Sequence, residues 1–225
     1  MLDIESKAIV ESLYWEIIDM ILKSYQKVED MPDEIKEFNH TLSEQYLLNF
    51  SVFQSLPDYW AVGQLFPIVP IHKLNEQPKF SATLVDITCD SDGKITQFVD
   101  LADVKPSIYL HDVKGDEPYY IGFFLTGAYQ DVMGDLHNLF GKINEVHVYI
   151  DPDEEQGWYI KDTVKGDKIS DVLKMNQYSI TDVLKRVKKQ VDYAIKTDKL
   201  KPNEGMRILA EFEKGLSDYT YLVRK

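Results

Sequence analysis

Val10, Leu13, Ile17, Ile21 and Tyr25 recur every three or four positions with Glu and Lys between them, a spacing that predicts an amphipathic helix. A turn at Glu29-Asp30-Met31-Pro32 follows. A second helix is predicted beyond it, with Ile35, Phe38, Leu42 and Tyr46 on one stripe and Pro32 in its opening turn. Two amphipathic helices joined this tightly form an antiparallel hairpin, whose stripes must be buried against something else. From Asn49 to Pro78 the pattern changes. Pro57, Pro67, Pro70 and Pro78 forbid a long helix, and the apolar residues come in short runs. Residues 80–88 read as a strand entering the Asp90-Ser91-Asp92-Gly93 turn, and residues 94–99 as its hairpin partner.

Residues 119–126 are apolar on both faces, which predicts a central, fully buried strand. A short helix is expected over 129–139. Strands are expected over 146–150 and 158–164, separated by an acidic loop, and the middle of the chain reads as a barrel-like antiparallel β unit. The last third returns to helix. Ser170, Val172 and Leu173 mark a short one. Ile180, Val183, Leu184, Val187, Val191 and Ile195 form a strong stripe, with Ser179 or Thr181 as its cap. After Pro202, Met206, Leu209 and Phe212 carry the pattern toward Gly215. No internal repeat or low-complexity tract is visible. The predicted class is α+β, with a helical segment over 1–48, a β-barrel domain over 49–166 and a helical extension over 167–225.

Composition adds limits. The chain has 225 residues, 44% hydrophobic and 28% charged, ordinary values for a globular protein able to bury a real core. Its formal net charge of −13 argues against nucleic acid or an anionic membrane as partner through a broad basic surface. The same charge suits a cationic substrate, although solubility alone explains it. A single cysteine permits no internal disulfide and no cysteine-rich zinc module. Neither a signal peptide nor an apolar run of about 20 residues is seen, so a reducing cytoplasm fits best.

That one cysteine, Cys89, lies at a strand end between Thr88 and Asp90. A lone cysteine is more often a packed small residue than a reactive one. The neighbouring Asp90 and Asp92 disfavour the thiolate, which speaks against a nucleophile. A thiol kept protonated can instead pass a proton to a carbanion. Asp92-Gly93 suits a tight turn. Asp90 abuts the cysteine, and its carboxylate can hold an amine or a guanidinium by charge-assisted hydrogen bonds. As a calcium loop the run fails, because its acidic positions do not continue. Tyr129 follows Gly127-Ala128, small residues that let an anionic group approach the backbone, where a phenol can donate to a phosphate oxygen. His137, near Asp135, reads as structural for want of a nearby nucleophile. His40, His72, His111 and His147 are scattered, with no metal-ligand spacing. No phosphate-binding glycine loop is present.

Five runs occur in a fixed order. They are Asn49-Phe50-Ser51-Val52-Phe53-Gln54-Ser55-Leu56-Pro57-Asp58, Gln64-Leu65-Phe66-Pro67, Asp86-Ile87-Thr88-Cys89-Asp90-Ser91-Asp92-Gly93, Gly127-Ala128-Tyr129-Gln130 and His137-Asn138-Leu139-Phe140-Gly141. With Tyr219-Thr220-Tyr221-Leu222 at the end, they closely resemble the carboxy-terminal third of the biosynthetic arginine decarboxylase family, over nearly the whole chain. Those enzymes have the alanine-racemase-like fold of pyridoxal-phosphate enzymes. The resemblance implies an amino-terminal (β/α)₈ barrel, an inserted helical bundle, a β-barrel domain and a carboxy-terminal helical extension. This chain would begin inside the bundle.

The implied reaction is decarboxylation of L-arginine to agmatine and carbon dioxide, for polyamine synthesis, in a cytoplasmic homodimer or higher homo-oligomer. Cys89 is matched to a proton donor that reaches across the dimer interface. Asp90, with Asp92 beside it, is matched to substrate contacts at the distal cation, and Tyr129 to a contact with the pyridoxal 5'-phosphate phosphate group. Magnesium is implied as well, with unknown ligands. Two departures stand out. The Schiff-base lysine and its companions belong to the barrel, so the chain as it stands is not expected to act alone. Gly63 also occupies the position before Gln-Leu-Phe-Pro, where the family tends to place an acid. The alternative is a truncated, non-catalytic homologue that binds or regulates a full-length decarboxylase.

Overall fold

The computed structural model describes residues 2–25, 32, 35, 42–101, 103–113 and 117–223. The expected turn at 29–32 and most of the second helix, Phe38 included, fall outside them. The described chain divides into two compact units, one of residues 1–46, 70–83 and 96–121, the other of residues 47–69, 84–95 and 122–225.

In the first unit the predicted amino-terminal helix forms over Ile4–Tyr25, with only Ile18 buried. Asp3 opens it by accepting the Ser6 amide at 2.7 Å. The second helical stripe does not reach Tyr46. Glu44–Leu47 is a strand, and the Tyr46 hydroxyl donates to the His111 carbonyl at 3.0 Å. This long-range anchor outweighs the local helical preference of Glu44 and Gln45. The first residues of the strand Phe80–Val85 pair antiparallel with Ile108–Leu110, Phe80 opposite Leu110 and Ala82 opposite Ile108. His111 is buried, with Nδ1 2.8 Å from the Tyr119 hydroxyl and Nε2 2.9 Å from the Glu76 carbonyl. That histidine is a structural pin.

Three strand and helix expectations are corrected. The partner strand expected over 94–99 is two short ones: Lys94–Ile95 pairs with Leu84 and Val85, and Phe98–Val99 pairs with Val104–Lys105. Ile95 and Phe98 are both buried, yet three positions apart an unbroken strand would point them to opposite faces. The chain breaks between them. The expected central strand over 119–126 shrinks to Ile121–Phe123, paired with Ile68–Pro70. Pro70 has no amide hydrogen to offer, and Leu125 leaves the extended region at φ 61. Tyr120, Phe124 and Leu125 are exposed, so this strand is not buried. The helix expected over 129–139 stops at Met133, where Gly134 turns extended. A Cβ on Gly134 would collide with the Gln54 carbonyl, and Asp135 then donates its amide to Phe53 O at 3.0 Å. A 3₁₀ turn at His137–Leu139 follows.

The α+β class holds. Among the described residues the strands form one four-stranded and three two-stranded sheets, and no barrel closes. The long hairpin appears as predicted, Glu145–Ile150 against Trp158–Val164. So do the helices Ile169–Met175, Ile180–Lys196 and Pro202–Leu216. Ser179 caps the second of these, accepting the Asp182 amide at 3.3 Å. Gly205 on the third has no room for a Cβ, because Val191 and Ile195 of the second stand 2.8 Å from where it would lie.

The second unit is closed by its own tail. Asn49 and Leu222 exchange two hydrogen bonds, Nδ2 to the Leu222 carbonyl at 2.8 Å and the Leu222 amide to Oδ1 at 3.0 Å. Tyr221 is buried, stacks on Phe140 with ring centroids 5.1 Å apart, and donates to the Gly141 carbonyl at 2.7 Å. Burial pushes the Tyr221 phenol well above its ordinary 10.0. With the folded value raised, the associated stability is full below about pH 10 and is lost as pH climbs above it. Urea unfolding midpoints should therefore fall above pH 10. Tyr221→Phe should cost about 1 kcal/mol at neutral pH and flatten that alkaline decline. A decline as steep in the variant as in the parent would assign the effect to other groups.

Candidate functional site

The turn that carries the cysteine is built around one buried carboxylate in the second unit. Asp86 is 4% exposed. Its Oδ1 accepts the Thr88 amide at 2.8 Å and the Thr88 hydroxyl at 2.7 Å, and its Oδ2 accepts the Val52 amide at 2.9 Å. Val52 opens the helix Val52–Ser55, so the carboxylate satisfies an amide that the helix itself leaves unpaired. Ser51 caps the same helix through Gln54 N. On the other side, Asp86 N donates to the Gly93 carbonyl at 2.7 Å. Position 93 must be glycine, since a Cβ there would run into the Asp86 carboxylate. Residues 88–93 thus wrap around Asp86.

With its interior filled by Asp86, the turn directs its remaining side chains outward. Cys89 is exposed and unbridged. Asp90 is partly exposed. Its Oδ1 accepts the Asp92 amide at 3.0 Å, and the Asp90 carbonyl accepts the Gly93 amide at 3.1 Å. Asp90 therefore builds the turn with one oxygen and leaves Oδ2 for another partner. Asp92 lies exposed at the tip.

The 3₁₀ turn at His137–Leu139 meets this loop from across the unit. Asn138 Nδ2 donates to Cys89 Sγ at 3.4 Å. His137 Nε2 stands 3.8 Å from Asp90 Oδ2, too far for a hydrogen bond, and has no hydrogen-bond partner among the described residues although the atom is buried. The His137 ring lies on Phe53 with centroids 4.5 Å apart, and Phe53 in turn meets Trp60. Asn138 holds φ 57 and Leu139 φ 61, the left-handed region that asparagine tolerates better than most residues. The sequence reading treated His137 as structural and gave Asn138 no role. Both lie beside the two residues it favoured. Their signal was the His137-Asn138-Leu139-Phe140-Gly141 run itself, and that of Asp86 was its place in the cysteine motif.

Tyr129 sits on the short helix Ala128–Met133 and is 76% exposed. No hydrogen bond or ion pair among the described residues joins it to the Cys89 turn. Its neighbour Gln130 is buried and fixes the helix, accepting the Asp58 amide through Oε1 and donating to the Asp58 carboxylate through Nε2. Before Tyr129, Gly127 has open space where a Cβ would lie. Gly63 ends the helix Pro57–Val62 in the left-handed conformation, φ 72, where any acid would be strained. Among the described residues no group of three or more His, Cys, Asp or Glu lies close enough to hold a metal ion.

Taken together, these residues present an exposed thiol with an amide donor on its sulfur, a carboxylate with one oxygen available to a cation, and an accessible phenol. A family profile described as the arginine decarboxylase C-terminal helical extension matches residues 169–222. The biosynthetic arginine decarboxylase of Gloeobacter violaceus is 45% identical over 226 residues, covering 100% of this chain and 35% of that protein. Its counterpart in Nostoc is 43% identical, covering 99% of the chain and 32% of that protein. A crystal structure of the biosynthetic arginine decarboxylase from Campylobacter jejuni aligns with a TM-score of 0.65 at 38% identity, over 80% of this chain and 29% of the other. This chain spans about a third of the length of the curated relatives it matches. It is homologous, over essentially its whole length, to the carboxy-terminal portion of biosynthetic arginine decarboxylases.

Proposed function

We propose that this chain forms the carboxy-terminal part of a pyridoxal-phosphate-dependent arginine decarboxylase, which converts L-arginine to agmatine and carbon dioxide for polyamine synthesis. In that enzyme the antiparallel strands, Glu44–Leu47 included, belong to a barrel-like domain between the amino-terminal helix and the helical segment at 167–225. The partners are an amino-terminal (β/α)₈ barrel and a second subunit, in a cytoplasmic homodimer or higher homo-oligomer. No described helix is long and apolar enough to cross a membrane. The observation that carries the reading is the outward presentation of Cys89 and Asp90 from a turn whose inward side is filled by Asp86.

The residues present fit the organic cofactor at one point. The exposed Tyr129 phenol, with open space beside Gly127, has room to donate to a phosphate oxygen. When bound, the cofactor supplies an electron sink for the pair released as the carboxylate leaves. This chain's residues do the rest. Asp90 Oδ2 accepts from the guanidinium and fixes the far end of arginine, with the Asp92 charge beside it. Cys89 holds a proton at Sγ and delivers it to the carbon that has lost its carboxylate. Among the described residues no acidic cluster fits the magnesium that the family resemblance implies, so no residue of this chain is assigned to it.

In the assembled enzyme, Cys89→Ala should lower kcat by roughly a hundredfold or misdirect protonation, while cofactor absorbance is retained. Unchanged rate and product would remove Cys89 from the chemistry. Asp90→Asn preserves the Oδ1 that accepts the Asp92 amide, so the turn should survive. The KM for arginine should nevertheless rise by roughly tenfold, read from steady-state kinetics alongside a melting curve. An unaltered KM would leave Asp90 a turn residue only.

A further inference from the structure

Among the described residues, the one side chain that donates a hydrogen bond to the cysteine comes from far along the chain: Asn138 Nδ2 reaches Cys89 Sγ at 3.4 Å across 49 residues of sequence. The geometry points to Asn138 as the positioning residue that makes Cys89 a usable acid. This inference rests on the assignment of Cys89 as proton donor.

Three features support it. Asn138 sits at φ 57, ψ 25, a kink inside a 3₁₀ turn that costs a non-glycine residue conformational energy. The turn is held in that shape from outside by the His137 ring resting on Phe53, and from within by the Phe140 amide donating to the His137 carbonyl. The amide group is therefore delivered to the sulfur by a turn already formed. The second feature is directional. An N–H bond to a sulfur lone pair leaves the thiol hydrogen free to point elsewhere, and Cys89 is exposed, so solvent-side directions are open to it. The third is electrostatic. When the S–H bond breaks, the proton forms a C–H bond with the pair left on the decarboxylated carbon, and the S–H pair remains on sulfur as thiolate. His137, on the facing segment, stands 3.8 Å from the Asp90 carboxylate and makes no hydrogen bond to the sulfur among the described residues. Asn138 is left as the donor that can stabilise the thiolate where it forms.

Cys89 is the only cysteine, so alkylation by iodoacetamide reports on it alone. Glycine and aspartate both tolerate the left-handed backbone at position 138, which keeps the turn intact. In the 225-residue chain, Asn138→Gly should move the rise of alkylation rate with pH upward, slowing labelling near neutral pH by roughly threefold. Asn138→Asp, which replaces the donor by a negative charge, should slow it by roughly tenfold. Melting temperatures within a few degrees of the parent certify the fold. Labelling profiles that coincide for the parent and both variants would overturn the inference, because a merely structural asparagine leaves thiol ionisation alone. A second readout separates this outcome from failure of the proposed function. In the full-length decarboxylase, Asn138→Gly should lower kcat with little change in the KM for arginine. A shifted labelling profile with unaltered kcat would keep Asn138 as the tuning group and remove Cys89 as the proton donor.

Discussion

The cysteine-bearing turn of the candidate site depends on a buried carboxylate. Asp86 is almost fully removed from water, which costs several kcal/mol for a lone charge, and the cost is offset only because its oxygens receive three donors. Two of those donors belong to Thr88 and one to the first residue of the helix Val52–Ser55. The same group therefore caps a helix and gathers a loop. Gly93 closes the loop because no side chain can share the space with the carboxylate. Once the inner side is taken, Cys89 has only the outer side available. The outward face follows from the filling of the inward one.

This also explains which parts were legible in the sequence. Elements whose determinants lie close together along the chain could be read. The helix Ile180–Lys196 has an unbroken stripe and a serine cap, and the hairpin Glu145–Ile150/Trp158–Val164 pairs within itself. Elements shaped by distant partners could not. Nothing local marks the end of the helix at Met133 as sharply as the Gln54 carbonyl, which lies against Gly134 from 80 residues earlier in the sequence. Nothing local shows that Ile95 and Phe98 both turn inward. At the site, Cys89, Asp90 and Tyr129 were visible as residue types in suggestive company. The neighbours of Cys89 and Asp90 were not visible, since Asn138 and His137 arrive through a fold contact rather than through spacing.

The motifs that carry the family likeness divide by burial. In the run from Asn49 to Asp58, Asn49 clasps Leu222, Ser51 caps a helix, Phe53 supports His137, and Asp58 pairs with Gln130. Tyr221 near the end of the chain seals Gly141. These residues hold the second unit together, so their presence speaks for the fold and only indirectly for the chemistry. The motif residues they leave accessible include Cys89, Asp90, Asp92 and Tyr129, and on the proposed reading the chemistry resides there. Gly63 belongs on the structural side as well. Its left-handed cap favours glycine by about 1 kcal/mol over an acid.

A proton donor open to bulk water is a poor instrument for a carbanion, because water competes both to protonate the carbon and to solvate the acid. Cys89 is exposed, and so are Tyr129, Val132, Trp60 and Phe124 in the same unit. Exposed apolar side chains of this size gain free energy when another surface covers them, at roughly 25 cal/mol for each Å² removed from water. Covering them would lower the local dielectric around the thiol, and the Asn138 amide would then count for more at the sulfur than it does in open solvent. On the proposed reading, the turn built on Asp86 is one half of a site. Its acid gains selectivity only when a second surface shuts out the competing water.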